Sequence, residues 1–137
     1  MRAYFINNMY LSSIQQGIQA LHAIVELSIK YGTAQDSLES TMYVDWAVNH
    51  KVVCLLNGGY SSNLHSLREM LETSSLTIPW APFYEGTDAL DGALTSIALI
   101  LPEHLYGSLG EQLNKEGLLS KESQQLYSFI SDLSLAR

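Results

Sequence analysis

The chain has 137 residues, 47% hydrophobic and 15% charged, with 14 acidic against 7 basic side chains and a net charge of −7. That size suits one domain burying about two thirds of its unfolded surface, and the composition excludes disordered, fibrous and low-complexity chains. The acidic excess argues against nonspecific nucleic-acid binding, which needs phosphate-neutralising Lys and Arg, and no apolar run approaches the ~18 residues of a membrane span. Cys54 is the single cysteine, so an internal disulfide is excluded. Residues 1–7 lack the long apolar run and cleavage site of a signal peptide, and a cytoplasmic location is expected.

In chain order, Arg2–Asn7 reads as a first strand. Ser12 or Ser13 caps a helix reaching Tyr31, with Gly32 as its stop. Ile14, Ile18, Leu21, Val25 and Ile29 recur at helical spacing and are expected to form its core face. A second helix is expected over residues 36–49, with Leu38, Met42, Val44, Trp46 and Val48 as packing candidates. Residues 51–56 are nearly all apolar, as in a strand covered on both faces. Asn57-Gly58-Gly59 breaks that run, and Ser61 or Ser62 opens a third helix carrying Leu64, Leu67, Met70 and Leu71.

Pro79 and Pro82 make residues 78–84 extended and place them near a sheet edge. A polar turn follows at 86–92, then a strand at 94–101. Two closing helices are expected at 103–114 and 121–133, with Gly117 between them. Strands alternating with helices predict a single α/β domain, its sheet built from 2–7, 51–56, 78–84 and 94–101, with the second and fourth strands central or covered on both faces.

No phosphate-cradling Gly-Lys-Ser/Thr loop, Gly-x-Gly-x-x-Gly or Gly-x-Ser-x-Gly occurs. Gly58-Gly59 is either a tight turn or an anion site at a helix start. His22, His50, His65 and His104 are too scattered for metal ligation, so neither metal nor cofactor is expected. Gln15, Gln19, His22 and Glu26, at steps of four, three and four, form one polar stripe on the first helix. Such a stripe is either a solvated face or the wall of a cleft. A second cluster is Phe83-Tyr84-Glu85-Gly86-Thr87-Asp88, followed by Thr95. It offers a carboxylate and hydroxyls to a substrate, or else forms a turn in which Asp88 and Asp91 bond their own backbone.

Together these clusters carry a resemblance. The first strand, Met9 and a serine-containing turn, then Gln19-Ala20-Leu21-His22-Ala23 on a helix, resemble the type II peptidyl-tRNA hydrolase family. Lys51-Val52-Val53-Cys54-Leu55, the helix with Leu67 and Leu71, Phe83-Tyr84-Glu85 and the run from Ala93 to Leu99 follow in matching order. The resemblance covers residues 2–103 and leaves 104–137 as a helical extension of the same domain. It implies a small mixed four-stranded sheet flanked by helices, a homodimer, and cleavage of the ester joining peptide to tRNA.

The family pattern has Asp-Leu after the first strand and Gly-Lys opening the helix. Here Asn8-Met9 or Met9-Tyr10 falls near the first pair, and Ile14-Gln15 replaces the second. Glu85-Gly86-Thr87 loosely represents the family's Asp-x-Gly-x-Thr, and Thr95 matches its following threonine. The missing lysine removes a cation beside the scissile ester, and losing one such stabilising group costs about a hundredfold or more in rate. The resemblance then implies a diverged protein binding a small nucleotide-derived ligand through Gln15, Gln19, His22, Tyr84, Glu85, Thr87 and Thr95, with Tyr10 or Tyr84 stacking. Sequestration of a host immune signal by a phage protein is the role expected by analogy. The alternative is an active hydrolase with His22, Glu85 and Thr95 catalytic, Glu85 or His22 moving a proton and Gln15 and Gln19 orienting groups on peptidyl-tRNA. A third reading is a pure interaction module working through the C-terminal helices. No membrane partner is expected.

Overall fold

Eight consecutive buried residues, Leu94–Leu101, form the strand around which the rest is assembled. The computed structural model describes residues 1–33, 36–86 and 92–135. Its sheet has the order β2-β1-β4-β3, where β1 is Arg2–Asn7, β2 Val53–Asn57, β3 Trp80–Tyr84 and β4 Leu94–Leu101. β1 and β2 are parallel, and β4 runs antiparallel to both β1 and β3. The carboxyl ends of β1, β2 and β3 therefore gather with the start of β4 at one end of a mixed sheet. The helices are α1 (Ser13–Tyr31), α2 (Leu38–Asp45), α3 (Ser61–Thr73), α4 (Gly107–Lys115) and α5 (Lys121–Ser131). The chain is thus α/β.

Period-two alternation along the strands divides the core into two layers. Ala3, Phe5, Ala98 and Ile100 pack with Ala20, Ala23 and Leu27 of α1 and with Trp46. Tyr4, Ile6, Ile97, Leu99 and Leu101 pack on the other face with Leu64, Leu67 and Leu71 of α3 and Leu126 and Ile130 of α5. The C-terminal segment also closes part of the β2 edge. Asn57 N–H donates to Ser134 O at 2.9 Å, and Leu56 bridges Leu135 antiparallel. Covering a free edge in this way removes a pairing template for other chains.

Three expectations are overturned. Ile14, Ile18, Leu21, Val25 and Ile29 are exposed, and α1 buries Ala20, Ala23 and Leu27 instead. Apolar periodicity marks both sides of this helix, and only the small alanines permit close packing on Ala3 and Ala98. In the second helical region Met42 and Trp46 are buried, but Leu38, Val44 and Val48 face outward. The second strand is also an edge strand, with Val53 half exposed, while β1 takes the central place beside β4.

Local geometry shifts that strand's start. After α2 the chain continues as a π-helical turn, Trp46–His50, and leaves it through Lys51 at φ 59°. A left-handed residue cannot continue a strand, so β2 starts at Val53. The predicted helix at 103–114 divides into a 3-10 turn, Glu103–Leu105, and α4. Among the described residues no helix is long and apolar enough to cross a membrane.

Leu27, fully buried on the inner side of α1, gives the test of this packing. Leu27→Ala should lower unfolding free energy by about 2–5 kcal/mol, measured by urea denaturation. A loss within a few tenths of a kcal/mol would place the α1 core contact elsewhere.

Candidate functional site

The polar residues collect at the sheet end where β1, β2 and β3 finish. β1 ends in Asn7, whose side chain shares the α1 face with Ser96 of β4. The Ser96 hydroxyl donates to Asn7 Oδ1 at 2.8 Å, and both residues are fully buried. One step on, Phe83 pairs with Ser96 but Tyr84 pairs with Leu94, so Thr95 has no partner on β3. Such an irregularity re-aims a side chain. The Thr95 hydroxyl thereby turns to α1 and donates to Gln19 Oε1 at 2.9 Å.

Gln19 extends the relay. Its Nε2 donates to Glu85 Oε2 at 2.9 Å, and Glu85 Oε1 accepts from the Gly86 N–H at 3.0 Å. The Gly86 N–H, then Gln19 and the nearby His22, hold the Glu85 carboxyl below its ordinary range, against the opposing effect of burial. His22 is exposed and lies flat on Phe83, with ring centroids 4.7 Å apart and planes 11° apart. The structure therefore brings Gln19, His22, Glu85 and Thr95 into one cluster joining α1, β3 and β4.

Other expected site residues lie apart from it. Gln15 is exposed and forms a capping box: its Oε1 accepts from the Ser12 N–H, and its own N–H donates to Ser12 Oγ. The Tyr84 hydroxyl accepts from Arg68 Nη1 at 2.6 Å, on the α3 side of the sheet. Tyr10 tilts against Tyr60 at 5.6 Å, in a turn tied down by Asn8 Nδ2 to Ser61 Oγ at 2.9 Å. Thr87, Asp88 and Asp91 lie outside the described residues.

Gly58-Gly59 forms a tight turn. Gly58 N–H donates to Asn7 O at 2.7 Å, and Gly59 N–H to Asn57 Oδ1 at 2.9 Å. A Cβ on Gly58 would meet Ile6 Cγ2 at 2.6 Å, so the close approach requires glycine. Gln16 emerges as a buried polar residue that its sequence position did not single out. Its Nε2 donates to Leu11 O at 3.0 Å, while its buried Oε1 has no partner. The available signal was its place on the alanine side of α1, which the apolar stripe masked.

A groove of about 830 Å³ between α3 and α5, lined in part by Met70 and Phe129, shares no residue with the polar cluster. Among the described residues no three or more His, Cys, Asp or Glu side chains come together as a metal site. Neither a protein-family model nor a curated protein sequence matches the chain.

Thr95 is 1% and Gln19 7% exposed, so water cannot easily replace their bond. Thr95→Val should cost about 1–3 kcal/mol by urea denaturation, because the Gln19 carbonyl loses its donor while staying buried. Glu85 gives a pH signature. Its folded pKa lies below the ordinary 4.5, so its stabilising contribution is complete above that value and disappears as pH falls through the lowered one. Melting curves of the wild type and Glu85→Gln should differ at neutral pH and converge in acid. A constant difference would show that the charge is not involved.

Proposed function

We propose that this polar end binds a small nucleotide-derived ligand on a diverged peptidyl-tRNA-hydrolase-like scaffold, without efficient catalysis. The observation that carries this reading is the Glu85 carboxylate, favoured in its ionised form beside the exposed His22–Phe83 stack. An ionised carboxylate only accepts hydrogen bonds, which suits the amino and ring N–H groups of a base and the hydroxyls of a sugar. The outer face of a flat ring adds a stacking platform.

The same features disfavour ester hydrolysis. A general acid or base works best with a pKa near the operating pH, and Glu85 is shifted away from it. A developing oxyanion also requires a donor or cation placed for it. Lys30 Nζ donates to Trp80 O, and Arg68 serves Tyr84 on the other side of the sheet. The biological role in this reading is sequestration of a signal nucleotide, as by a phage protein acting against its host's immune signalling. The convergence of Gln19, His22, Glu85 and Thr95 also supports a second reading, an active peptidyl-tRNA hydrolase with a modified site.

Native mass spectrometry of the purified protein, with an ultraviolet spectrum of whatever denaturation releases, separates the two. A bound species with nucleotide absorbance is expected. His22→Ala should weaken its binding roughly tenfold or more, in the range of ~1–3 kcal/mol for a base stacked on an aromatic ring, while leaving thermal stability nearly unchanged. A ligand-free protein that cleaves purified peptidyl-tRNA, with activity abolished by Glu85→Ala, would overturn the binding reading in favour of the enzyme.

A further inference from the structure

A second groove, about 540 Å³ in volume, lies along α2 and the π-helical turn and shares no residue with the polar cluster. Its size falls within the range of small-molecule sites. Thr41, Val44, Asp45, Val48 and Asn49 recur at i, i+3, i+4, i+7 and i+8, so they form one wall. Ser40 lies beside them and, at 3% exposed, is the one buried residue among those described along the groove. Its N–H donates to Ser37 Oγ at 3.1 Å, but its hydroxyl has no partner among the described residues. A buried hydroxyl left unpaired costs free energy, and a ligand group that pairs with it removes that cost.

The other polar end of the groove is Asp45, the one charged residue among those described along it. Asn49 Nδ2 donates to Asp45 Oδ1 at 2.7 Å, and His50 Nε2 stands 3.3 Å from Oδ2. The Asn49 bond, and then the nearby His50, hold the Asp45 carboxyl below its ordinary range against the opposing desolvation. Its oxygens keep further lone pairs for a donor. Val44 and Val48, 46% and 61% exposed, add apolar surface to the same wall. Val48 and Asn49 belong to the π-helical turn, closed by an i→i+5 bond from Lys51 N–H to Trp46 O at 2.8 Å. Such turns are rare and occur frequently at functional sites.

We propose that this groove binds a short aliphatic diamine. One ammonium pairs with Asp45, the methylenes lie on Val44 and Val48, and the second amine donates to the Ser40 hydroxyl. Five residues of helix rise about 7.5 Å, the reach of a short carbon chain between two polar ends. Charge selects the same class. Asp45 repels a carboxylate or phosphate, and the net charge of −7 concentrates cations around the chain. The site is independent of what the polar cluster binds.

Chemical-shift mapping of the full chain by NMR, with putrescine as the probe, tests the assignment. Saturable shifts are expected in the amides of residues 40–49, with a dissociation constant of about a millimolar or tighter. The neutral butanediol and the dianion succinate, of the same chain length, should each bind roughly tenfold more weakly or worse. Ser40→Ala should weaken putrescine binding about tenfold while leaving the melting temperature unchanged or raised, because it deletes an unpaired hydroxyl. Asp45→Asn should abolish the preference for putrescine over butanediol, and Ser40→Ala carries the test alone if that variant fails to fold. Absence of saturable shifts, equal binding of the three probes, or Ser40→Ala that lowers stability and leaves binding untouched would each overturn the proposal.

Discussion

The close approach of α1 to the sheet is the constraint on which the rest depends. Ala20 and Ala23 meet Ala3, Ala81 and Ala98 in one cluster with Phe5, Leu27, Trp46 and Ile100, and the small alanines let the helix pack close to the strands. That proximity brings a side chain of only moderate length, Gln19, within 2.9 Å of both Thr95 on β4 and Glu85 just beyond β3. A larger residue at Ala20 or Ala23 would raise the helix and stretch both hydrogen bonds together. The packing of the core and the geometry of the polar cluster are therefore one property. Leu27 and Trp46 belong to the same close-packed layer, which resists such a displacement.

Much of this was legible in the residues, for identifiable reasons. The run at 94–101 has the continuous apolar character of a strand buried on both faces, and its boundaries agree with the structure. Ser12 and Gly32 mark the ends of α1 through local chemistry, which acts over a few residues and can be read without tertiary context. The orientation of α1 was not legible in the same way. Hydrophobicity measures transfer from water and is higher for the isoleucine stripe than for the alanine stripe. The choice between them rests on shape, because only the alanine side fits against a sheet whose facing residues include Ala3 and Ala98.

The cluster shows a similar division. Gln19 and His22 share a helical stripe, and Glu85 follows a strand, so each was visible as a candidate by spacing or position. Gln15 belongs to that stripe too, yet it lies at the first turn, where capping the free Ser12 N–H outweighs any role further along the helix. Thr95 reaches α1 through a register slip between β3 and β4, which depends on how two distant segments pair. Tyr84, next to Phe83 in β3, falls on the α3 side by ordinary strand alternation. Adjacent residues in sequence thus end on opposite sides of a sheet.

The relay running Thr95, Gln19, Glu85 and Gly86 has a direction. Thr95 donates to the Gln19 carbonyl, Gln19 donates through its amide nitrogen to Glu85, and Gly86 donates to the same carboxylate. Each link supports the next by polarising it, and all of them end on one acceptor. Protonating Glu85 would turn an acceptor into a donor and set it against the Gln19 amide. The relay therefore stabilises one charge state of its terminal group, which is useful for holding a hydrogen-bond donor in place. A group that must gain and lose a proton during a reaction cycle has the opposite requirement, a small difference between its two states. The two donors to Glu85, the buried Gln19 amide and the exposed Gly86 N–H, enlarge that difference, and the geometry favours holding a ligand over moving a proton.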